Sequence, residues 1–328
     1  MKYKQLGLSG VSVSALGLGT NSFGSRADES TSIRIIHQAL DLGINFIDTS
    51  NTYSGTESER IIGDALADRR HKVVLATKAG LVRGQGPNEK GSSRYHINQE
   101  IEGSLKRLKT DHIDLYQIHT FDPYTPLEET LRALDDLVHA GKVRYIGASN
   151  YAAWELMKAL GMSDRLGLNR FISIQPSYSL ADRTPEQELV PLCLDQGVGI
   201  IPYFPLAGGV LSGKYTDFNN PPAGSRLEKN PDFAKRIDNE RMKLAQEVAQ
   251  IAKKLNTSPS ALSLAWLMQR PAVCTVIVGA TRVDQLLDNY AAVSLNLDSA
   301  VLEKLEQLTT KFRHGKPFAL NRLPAEAK

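Results

Sequence analysis

Short apolar segments with β-strand character alternate with longer amphipathic helical patterns along almost the whole chain of 328 residues. The predicted strands lie at 15–18, 45–47, 73–77, 113–118, 145–148, 171–174, 198–202 and 276–278. The helical patterns lie at 30–42, 58–67, 98–108, 127–140, 152–160, 185–196, 239–255 with 258–269, and 282–293. Strand–helix units that repeat eight times, about every 30 residues, predict a (β/α)8 barrel, also called a TIM barrel.

The rest of the chain is arranged around this predicted barrel. Residues 3–6 and 11–15 predict an N-terminal β-hairpin, and the chain after residue 298 predicts one extra C-terminal helix and a loosely held tail, 313–328. The segment 216–238, rich in Asn, Pro and charge, is too long for an ordinary connection and predicts a functional lid loop. No linker divides the chain, so we expect a single barrel domain over residues 1–328.

The main alternative to the barrel is a doubly wound open sheet. Its dinucleotide-binding form requires the pattern G-x-G-x-x-G after an early strand. In this chain Gly17 and Gly19 are followed by Ser22 at the position of the third glycine. The barrel is therefore the preferred prediction.

Charge and cysteine usage exclude several classes of protein. Lys plus Arg (39) nearly balances Asp plus Glu (36), so no nucleic-acid partner is expected. Cys193 and Cys274 lack C-x-x-C spacing and indicate reduced thiols in the core. The first residues show no apolar leader and no apolar run is long enough to span a membrane, which predicts a cytoplasmic protein with no membrane partner. The seven histidines show no spacing suited to zinc, so no metal is expected.

Four ionisable residues lie at or just after the ends of predicted strands. Asp48 follows the second strand, Tyr53 lies in the turn beyond it, Lys78 closes the third strand and His119 closes the fourth. The carboxyl ends of barrel strands form the catalytic face of this fold. We therefore expect these side chains to share one site.

The four residue types together can form a proton donor for an oxyanion, in which the phenol donates and the other groups support it. A phenol has a pKa of about 10, and a neighbouring lysine charge would lower it, while Asp48 would keep Lys78 charged. His119 can hydrogen-bond a substrate oxygen. Each residue alone also has an ordinary structural explanation, such as a solvated lysine or an aspartate that caps a turn, and only their shared position favours catalysis.

Several sequence strings resemble the aldo-keto reductases. They are D-T-S-N-T-Y-S-G-T-E-S-E at 48–59, T-K at 77–78, D-L-Y-Q-I-H at 114–119 and G-K-V-R-Y-I-G-A-S-N-Y at 141–151. The strings near 203–215 and 279–282 are most similar to bacterial members of the inositol-operon type and, more distantly, to potassium-channel β-subunits. The resemblance implies a barrel that binds NADP(H) without a Rossmann motif. It assigns Tyr53 as general acid/base, Lys78 and Asp48 as its supporting pair, and His119 as the group that orients the substrate.

The resemblance also implies which residues contact the cofactor. At the ends of barrel strands these are Gly19, Thr20, Asn21, Asp48, Ser149, Asn150 and Gln175. For the nicotinamide ring and the pyrophosphate they are Tyr203, Phe204, Pro205, Leu206, Ala207, Gly209, Lys214 and Arg226. At the eighth helix they are Gly279, then Thr281, Arg282 and Gln285 for a 2′-phosphate, and Asp288 and Asn289 for the adenine. Gln285 replaces an arginine of the best-known mammalian members, so NADP(H) is expected and NAD(H) stays open.

These residues predict an NADP(H)-dependent oxidoreductase that reduces an aldehyde or ketone to an alcohol. One alternative is a redox-sensing subunit that binds NADP(H) and reacts slowly, and another is an unrelated barrel isomerase or lyase. The complete set of four favours the enzyme. The substrate pocket is expected to include Phe23, Phe121, Tyr124, the loop 83–94 and the lid 216–238. The sequence does not specify the carbonyl substrate or the oligomeric state.

Overall fold

The structure is a computed structural model that describes residues 1–215, 221–223, 225–230, 233 and 237–315. An antiparallel hairpin comes first, formed by β1 (Tyr3–Gln5) and β2 (Ser12–Ser14). The strands that follow are β3 (Leu16–Gly19), β4 (Phe46–Asp48), β5 (Val74–Ala79), β6 (Ile113–Ile118), β7 (Val143–Ser149), β8 (Phe171–Gln175), β9 (Gly199–Ile200) and β10 (Val276–Gly279). The predicted (β/α)8 barrel with an N-terminal hairpin is confirmed.

The eight later strands form one parallel sheet in the order β10-β3-β4-β5-β6-β7-β8-β9. The sheet closes between β9 and the residues just before β10, where Ile200 pairs in parallel with Val273. The Ile200 amide donates to Ala272 O at 2.7 Å, and the Cys274 amide donates to Ile200 O at 3.0 Å. Closure leaves no free strand edge and gathers all the strand C-termini around one mouth.

Helices cover the outside of this barrel. They are α1 (Glu29–Asp41), α2 (Glu57–Ala65), α3 (Arg94–Leu108), α4 (Leu127–His139), α5 (Ala153–Leu166), α6 (Leu189–Gln196), α7 (Arg226–Lys229), α8 (Asn239–Lys254), α9 (Pro259–Met268), α10 (Val283–Tyr290) and α11 (Ser299–Thr309). The extra C-terminal helix, α11, was predicted. Among the helices of the described residues, none is long and apolar enough to cross a membrane.

Two hydrophobic cores follow from the alternation of side chains along the strands. The larger core fills the space between sheet and helices and includes Ile47 and Tyr116. The smaller core fills the barrel interior, where Phe46 and Leu115 meet Leu6 of the hairpin region. Side chains two positions apart face the same way, so the interior continues from these apolar residues toward the strand C-termini. The hairpin region thus packs against the N-terminal end of the interior, and the C-terminal end is left for polar residues.

Three helix boundaries differ from the predicted ones by four or more residues. Helix α3 begins at Arg94 instead of residue 98, because the Ser93 side chain accepts a hydrogen bond from the His96 amide and caps the first turn. Helix α5 runs through Gly161 to Leu166 and ends where Gly167 adopts a φ of 65°. The chain around Pro185 forms a short 3₁₀ turn, so α6 starts at Leu189. The predicted lid loop, 216–238, lies partly outside the described residues, and the predicted tail does so from residue 316.

Candidate active site

Neighbouring strands bring Asp48, Lys78 and Tyr53 into direct contact. Asp48 is the last residue of β4, and Lys78 faces the same interior from β5. The Lys78 ammonium donates to Asp48 Oδ1 at 2.6 Å and to the Thr49 carbonyl at 2.8 Å. It also lies 3.4 Å from the Tyr53 hydroxyl. The three residues form one hydrogen-bonded array at the mouth of the barrel.

The ion pair between Asp48 and Lys78 has almost no access to solvent, with side-chain exposures of 1% and 0%. A buried pair of this kind requires partners for its remaining lone pairs. Asp48 Oδ2 accepts hydrogen bonds from Gln117 Nε2 at 3.1 Å and from Gln175 Nε2 at 2.9 Å. Both glutamines face the interior from β6 and β8. The carboxylate is therefore fully engaged by one charged and two neutral donors.

The surroundings shift the pKa values of the three other groups. Burial acts to lower the pKa of Lys78, but Asp48 and Tyr53 outweigh it, so the pKa of Lys78 is raised and the amine is charged. Burial raises the pKa of Tyr53, and the nearby Lys78 charge opposes this rise without cancelling it. Lys78 therefore acts on Tyr53 in the predicted direction, but the phenol stays protonated at neutral pH because burial is the larger effect. Burial lowers the pKa of His119 well below its ordinary value, and the Lys78 charge lowers it further, so this imidazole is neutral.

His119 directly follows β6 and is held on both its ring and its backbone. The Ser50 hydroxyl lies 3.1 Å from Nδ1 of the imidazole. The Asn150 side chain donates to the His119 carbonyl at 2.9 Å. The rings of His119 and Tyr53 meet edge to face with their centroids 6.0 Å apart. The four predicted catalytic residues are thus brought together at one site.

The backbone beside Tyr53 has an unusual conformation. Ser54, Gly55 and Thr56 have positive φ values of 51°, 66° and 96°. A β-branched residue rarely adopts positive φ, and residues held in such conformations cluster at functional sites. Glycine at position 55 suits a left-handed conformation, while Ser54 and Thr56 are held in theirs by the surrounding structure. The turn places the Tyr53 phenol over the Lys78 amine, which lies 5.1 Å from the ring centroid.

The residues predicted to contact a nicotinamide lie beside this array. Ser149 of β7 stands opposite Gln175 of β8 in the sheet, and its hydroxyl donates to the Gln175 carbonyl at 2.9 Å. Asn150 follows with a left-handed φ of 54°. The Tyr203 hydroxyl donates to Asn150 Oδ1 at 2.7 Å. Ser149, Asn150, Gln175 and Tyr203 therefore form one connected group next to Asp48.

The loop after β9 has a strained backbone over the residues predicted to hold a pyrophosphate. Phe204 and Ala207 have φ values of 53° and 48°, and Gly209 has a φ of 103° that only glycine adopts readily. Pro205 and Ala207 are buried, whereas Phe204 and Leu206 are partly exposed. The Lys214 side chain is exposed, and its amine lies 4.9 Å from the centroid of the Tyr215 ring. The side chain of Arg226, the further predicted phosphate contact, lies outside the described part of the structure.

The residues predicted to bind a 2′-phosphate lie in the turn between β10 and α10 and in the first turn of α10. The Thr281 amide and hydroxyl both donate to Gln285 Oε1, at 2.9 Å and 3.0 Å. Arg282 pairs with Asp284 at 3.0 Å, and both side chains are mostly exposed. Asp288 is exposed and Asn289 is buried. The Arg282 pair is therefore a surface ion pair of the kind that exchanges partners at little cost in free energy.

The first predicted cofactor residues, Gly19, Thr20 and Asn21, end β3 and begin the next loop. The Thr20 hydroxyl donates to the Asp48 carbonyl at 2.9 Å, which links this loop to the catalytic strand. Asn21 Oδ1 accepts from the Arg26 guanidinium at 3.4 Å and lies 3.6 Å from where a Cβ on Gly279 would stand. This loop thus reaches from the catalytic array to the end of β10.

Sequence reasoning did not find several residues of the site. Gln117 lies two positions before His119 and faces the interior with Lys78, so the alternation in β6 was an available signal. Ser50 and Arg26 carry no sequence signal of their own, because hydroxyls and arginines are common in loops. Phe23 was expected in the substrate pocket but is fully buried in the core between sheet and helices. Among the predicted pocket residues, Phe121 and Tyr124 line a groove of about 450 Å³ together with Trp154 and Lys158.

The closed barrel and the Asp–Lys–Tyr array with its neighbouring histidine define a protein of the aldo-keto reductase type. The chain belongs to the aldo/keto reductase family, whose sequence model matches residues 15–310. This confirms the family that the sequence strings predicted.

Three relatives illustrate the range of the family. The chain is 41% identical over 319 residues to "Uncharacterized oxidoreductase YrpG" of Bacillus subtilis strain 168, covering 94% of this chain and 96% of that protein. It is 38% identical over 316 residues to a "Probable voltage-gated potassium channel subunit beta" of Oryza sativa subsp. japonica, covering 93% and 96%. It is 35% identical over 340 residues to "Versiconal hemiacetal acetate reductase" of Aspergillus parasiticus, covering 94% and 96%. The family and its oxidoreductase members support a carbonyl-reducing oxidoreductase.

Proposed function

We propose that the protein reduces an aldehyde or ketone with NADPH, and that Tyr53 supplies the proton. The observation that carries this proposal is the array at the barrel mouth, in which Lys78 bridges Asp48 at 2.6 Å and the Tyr53 hydroxyl at 3.4 Å. A structural ion pair does not require a phenol on its amine. A proton donor for an oxyanion does, because the charge that remains on the phenol after transfer must be stabilised.

The residues around the array fit a nicotinamide cofactor. A carboxamide offers two donors and an acceptor, and Ser149, Asn150 and Gln175 present hydroxyl and amide groups that can match them. Lys214 and Arg282 are exposed cations that can pair with phosphates. When bound, the cofactor would supply the hydride. Arg282, at the predicted 2′-phosphate position, favours NADP(H) over NAD(H), and its engagement with Asp284 is weak enough to be replaced by a phosphate.

The residues of the chain would handle the proton and the developing charge. The phenol of Tyr53 is protonated at neutral pH and can donate to the carbonyl oxygen as that oxygen gains negative charge. The charged amine of Lys78 then stabilises the phenolate, and Asp48 keeps that amine charged in its buried position. The neutral imidazole of His119 can hydrogen-bond the same oxygen and orient the carbonyl. In the reverse direction the same groups would take the proton from an alcohol.

A second function is favoured by the similarity to a potassium channel subunit beta. In this case the chain would bind NADP(H) and act on a partner protein, with slow chemistry. The same array is expected in both functions, so the rate of carbonyl reduction distinguishes them. Single-turnover oxidation of bound NADPH by a generic aldehyde within seconds would favour the enzyme, and oxidation over hours would favour the subunit.

Tyr53→Phe tests the proposed proton donor. The variant keeps the ring and loses only the hydroxyl, so we expect kcat to fall at least about 10²-fold while NADPH binding is unchanged. Turnover is measured by NADPH consumption over a panel of carbonyls, and binding by cofactor fluorescence with NADPH and NADH. Tyr95→Phe is the matched control, because Tyr95 is exposed on α3. Turnover near wild type in Tyr53→Phe would refute the assignment of the acid, and no fluorescence change with either cofactor would refute the nicotinamide site.

A further inference from the structure

The hydroxyl of Ser50 contacts Nδ1 of His119, which leaves Nε2 of the same ring for a substrate oxygen. Ser50 is fully buried, two residues after Asp48. Its Oγ lies 3.1 Å from Nδ1 of His119. Within the described residues, no other group makes a hydrogen bond to this nitrogen. The contact therefore controls what the opposite nitrogen, Nε2, can do.

The position of a single proton decides the role of His119. The imidazole is neutral, so one ring nitrogen carries a hydrogen and the other accepts. A substrate carbonyl accepts hydrogen bonds only, so Nε2 must carry the hydrogen in order to bind it. The nitrogen that is protonated is set by the hydrogen bond that the other nitrogen makes. A hydroxyl that donates to Nδ1 would hold the hydrogen on Nε2.

The neighbours of Ser50 limit where its proton can go. The Thr52 amide donates to Ser50 Oγ at 3.3 Å and occupies one lone pair. The side-chain amide of Asn51 is oriented by Glu100, because Asn51 Nδ2 donates to the Glu100 carboxylate at 2.6 Å. Asn51 Oδ1 therefore faces Ser50 as an acceptor, at 3.3 Å. Nδ1 of His119 is the closer of these two acceptors, at 3.1 Å. The Thr52 hydroxyl, also at 3.1 Å, can either donate to Ser50 or accept from it.

We propose that Ser50 is a positioning residue, which donates its proton to Nδ1 of His119 and thereby keeps the imidazole hydrogen on Nε2 for the substrate oxygen. The competing arrangements send the Ser50 proton to Asn51 or to Thr52, and His119 then donates from Nδ1 and presents an accepting Nε2. Only the first arrangement lets His119 donate to a carbonyl. The inference rests on the proposed function for its catalytic meaning, while the tautomer itself is a property of the protein alone.

The tautomer is measured directly by ¹⁵N NMR of the histidine-labelled full chain at neutral pH, with and without NADP⁺. The His119 signals are assigned from their loss in His119→Gln. We expect wild type to show a protonated-type shift on Nε2 and an unprotonated-type shift on Nδ1. Ser50→Ala should give a mixture of the two tautomers. Ser263→Ala is the control, because it removes a buried hydroxyl on α9 that donates to the Pro259 carbonyl at 2.8 Å, and it should keep the wild-type pattern.

Kinetics give a second readout. Losing one hydrogen bond that orients a catalytic group should lower kcat for carbonyl reduction about tenfold in Ser50→Ala, with KM for NADPH unchanged. Ser50→Thr retains a hydroxyl and should recover most of kcat, which separates loss of the donor from loss of packing. A wild-type hydrogen on Nδ1, or an Nε2 hydrogen unaffected by Ser50→Ala, would overturn the proposal. If the expected tautomers appear but no carbonyl is reduced, the proposed function fails and the tautomer assignment stands.

Discussion

Replacing Asp48 with asparagine removes one charge from the buried array and changes almost nothing in volume. In wild type, Oδ1 of Asp48 accepts from Lys78, while Oδ2 accepts from Gln117 and Gln175. Asparagine can still offer an oxygen to Lys78. Its NH₂ group would then face the NH₂ groups of two glutamines at 3.1 Å and 2.9 Å, where donors oppose donors. At least one glutamine must turn its amide and give up a hydrogen bond.

The larger effect falls on Lys78, which is completely buried. Removing one partner of a buried ion pair destabilises a protein by about 3–5 kcal/mol, because an uncompensated charge is left inside. The amine can instead lose its proton, and for a lysine with an ordinary pKa of about 10.4 this costs about 4.6 kcal/mol at pH 7. Deprotonation therefore sets an upper limit on the charge penalty. We expect the free energy of unfolding of Asp48→Asn to be lower than that of wild type by about 3–5 kcal/mol at pH 7.

The pH dependence of this deficit identifies its cause. In wild type the pKa of Lys78 is raised. The charge of Lys78 therefore contributes fully to stability at any pH below the pKa of lysine in the unfolded chain, about 10.4, and this contribution is lost only at higher pH. In Asp48→Asn we expect the pKa of Lys78 to fall below the unfolded value. The unfolded chain then binds more protons than the folded one, and the stability of the variant rises with pH. The deficit should therefore shrink between pH 7 and 9, by up to about 1.4 kcal/mol for each pH unit.

The assay is urea unfolding at several pH values, followed by fluorescence of the buried Trp266 and by circular dichroism. Asp164→Asn is the matched control, since Asp164 pairs with Arg170 at the surface, where both side chains are at least 35% exposed. An exposed pair contributes less than about 1 kcal/mol, and this loss should not depend on pH in the same range. A deficit in Asp48→Asn below 1 kcal/mol, or one that stays constant from pH 7 to 9, would refute the reasoning.

Two further predictions concern groups outside the Asp48–Lys78 pair. Burial lowers the pKa of His96 and of His119, so the unfolded chain binds more protons below about pH 6.5, and stability should fall with decreasing pH by up to about 1.4 kcal/mol per unit for each group. His96→Leu should remove the contribution of one histidine, so the free energy of unfolding should change less steeply with pH between pH 5 and 6.5. Urea unfolding at several pH values measures this dependence, and the same steepness as in wild type would contradict the prediction. Arg183 is fully buried, bonds Glu186 at 2.6 Å and Glu306 at 2.9 Å, and stacks 5.3 Å from the Trp266 ring centroid. Arg183→Met should lower the unfolding free energy by about 3 kcal/mol, whereas a loss below about 1 kcal/mol would show that Arg313 alone neutralises the two glutamates.

The barrel was predictable because its signal is repeated. Each strand of a parallel sheet is covered on both faces, so it is apolar along its length and stands out from the helices on either side. The weak point was the seventh barrel strand, predicted over 198–202 but regular only over Gly199–Ile200. Its contact with Val273 closes the barrel, and this residue lies outside any predicted strand. Closure depends on curvature accumulated over the whole sheet, which no local pattern contains.

Helix starts were harder to predict than strands, because a cap is a single side chain. Ser93 caps α3, yet the sequence at 90–97 has no early apolar stripe, and the helix was predicted to begin four residues too late. Gly161 reads as an end of α5, but a helix stabilised by packing can accommodate one glycine at a cost of about 1 kcal/mol. A local side-chain cap therefore decided the first boundary, and tertiary packing decided the second.

The candidate catalytic residues were visible for a different reason than the residues that support them. A charged side chain at the end of an apolar strand, such as Lys78, differs from the residues around it and is therefore a clear sequence signal. Gln117 is not, and Gln175 was predicted only as a cofactor contact, because an amide at a strand end is ordinary in water. Inside a barrel, however, a buried carboxylate needs every lone pair matched, and one lysine cannot match them all. Once Asp48 and Lys78 are accepted as an interior pair, neutral donors on other barrel strands are required. Such donors are expected at the inward-facing positions of β6 and β8 near the mouth of the barrel.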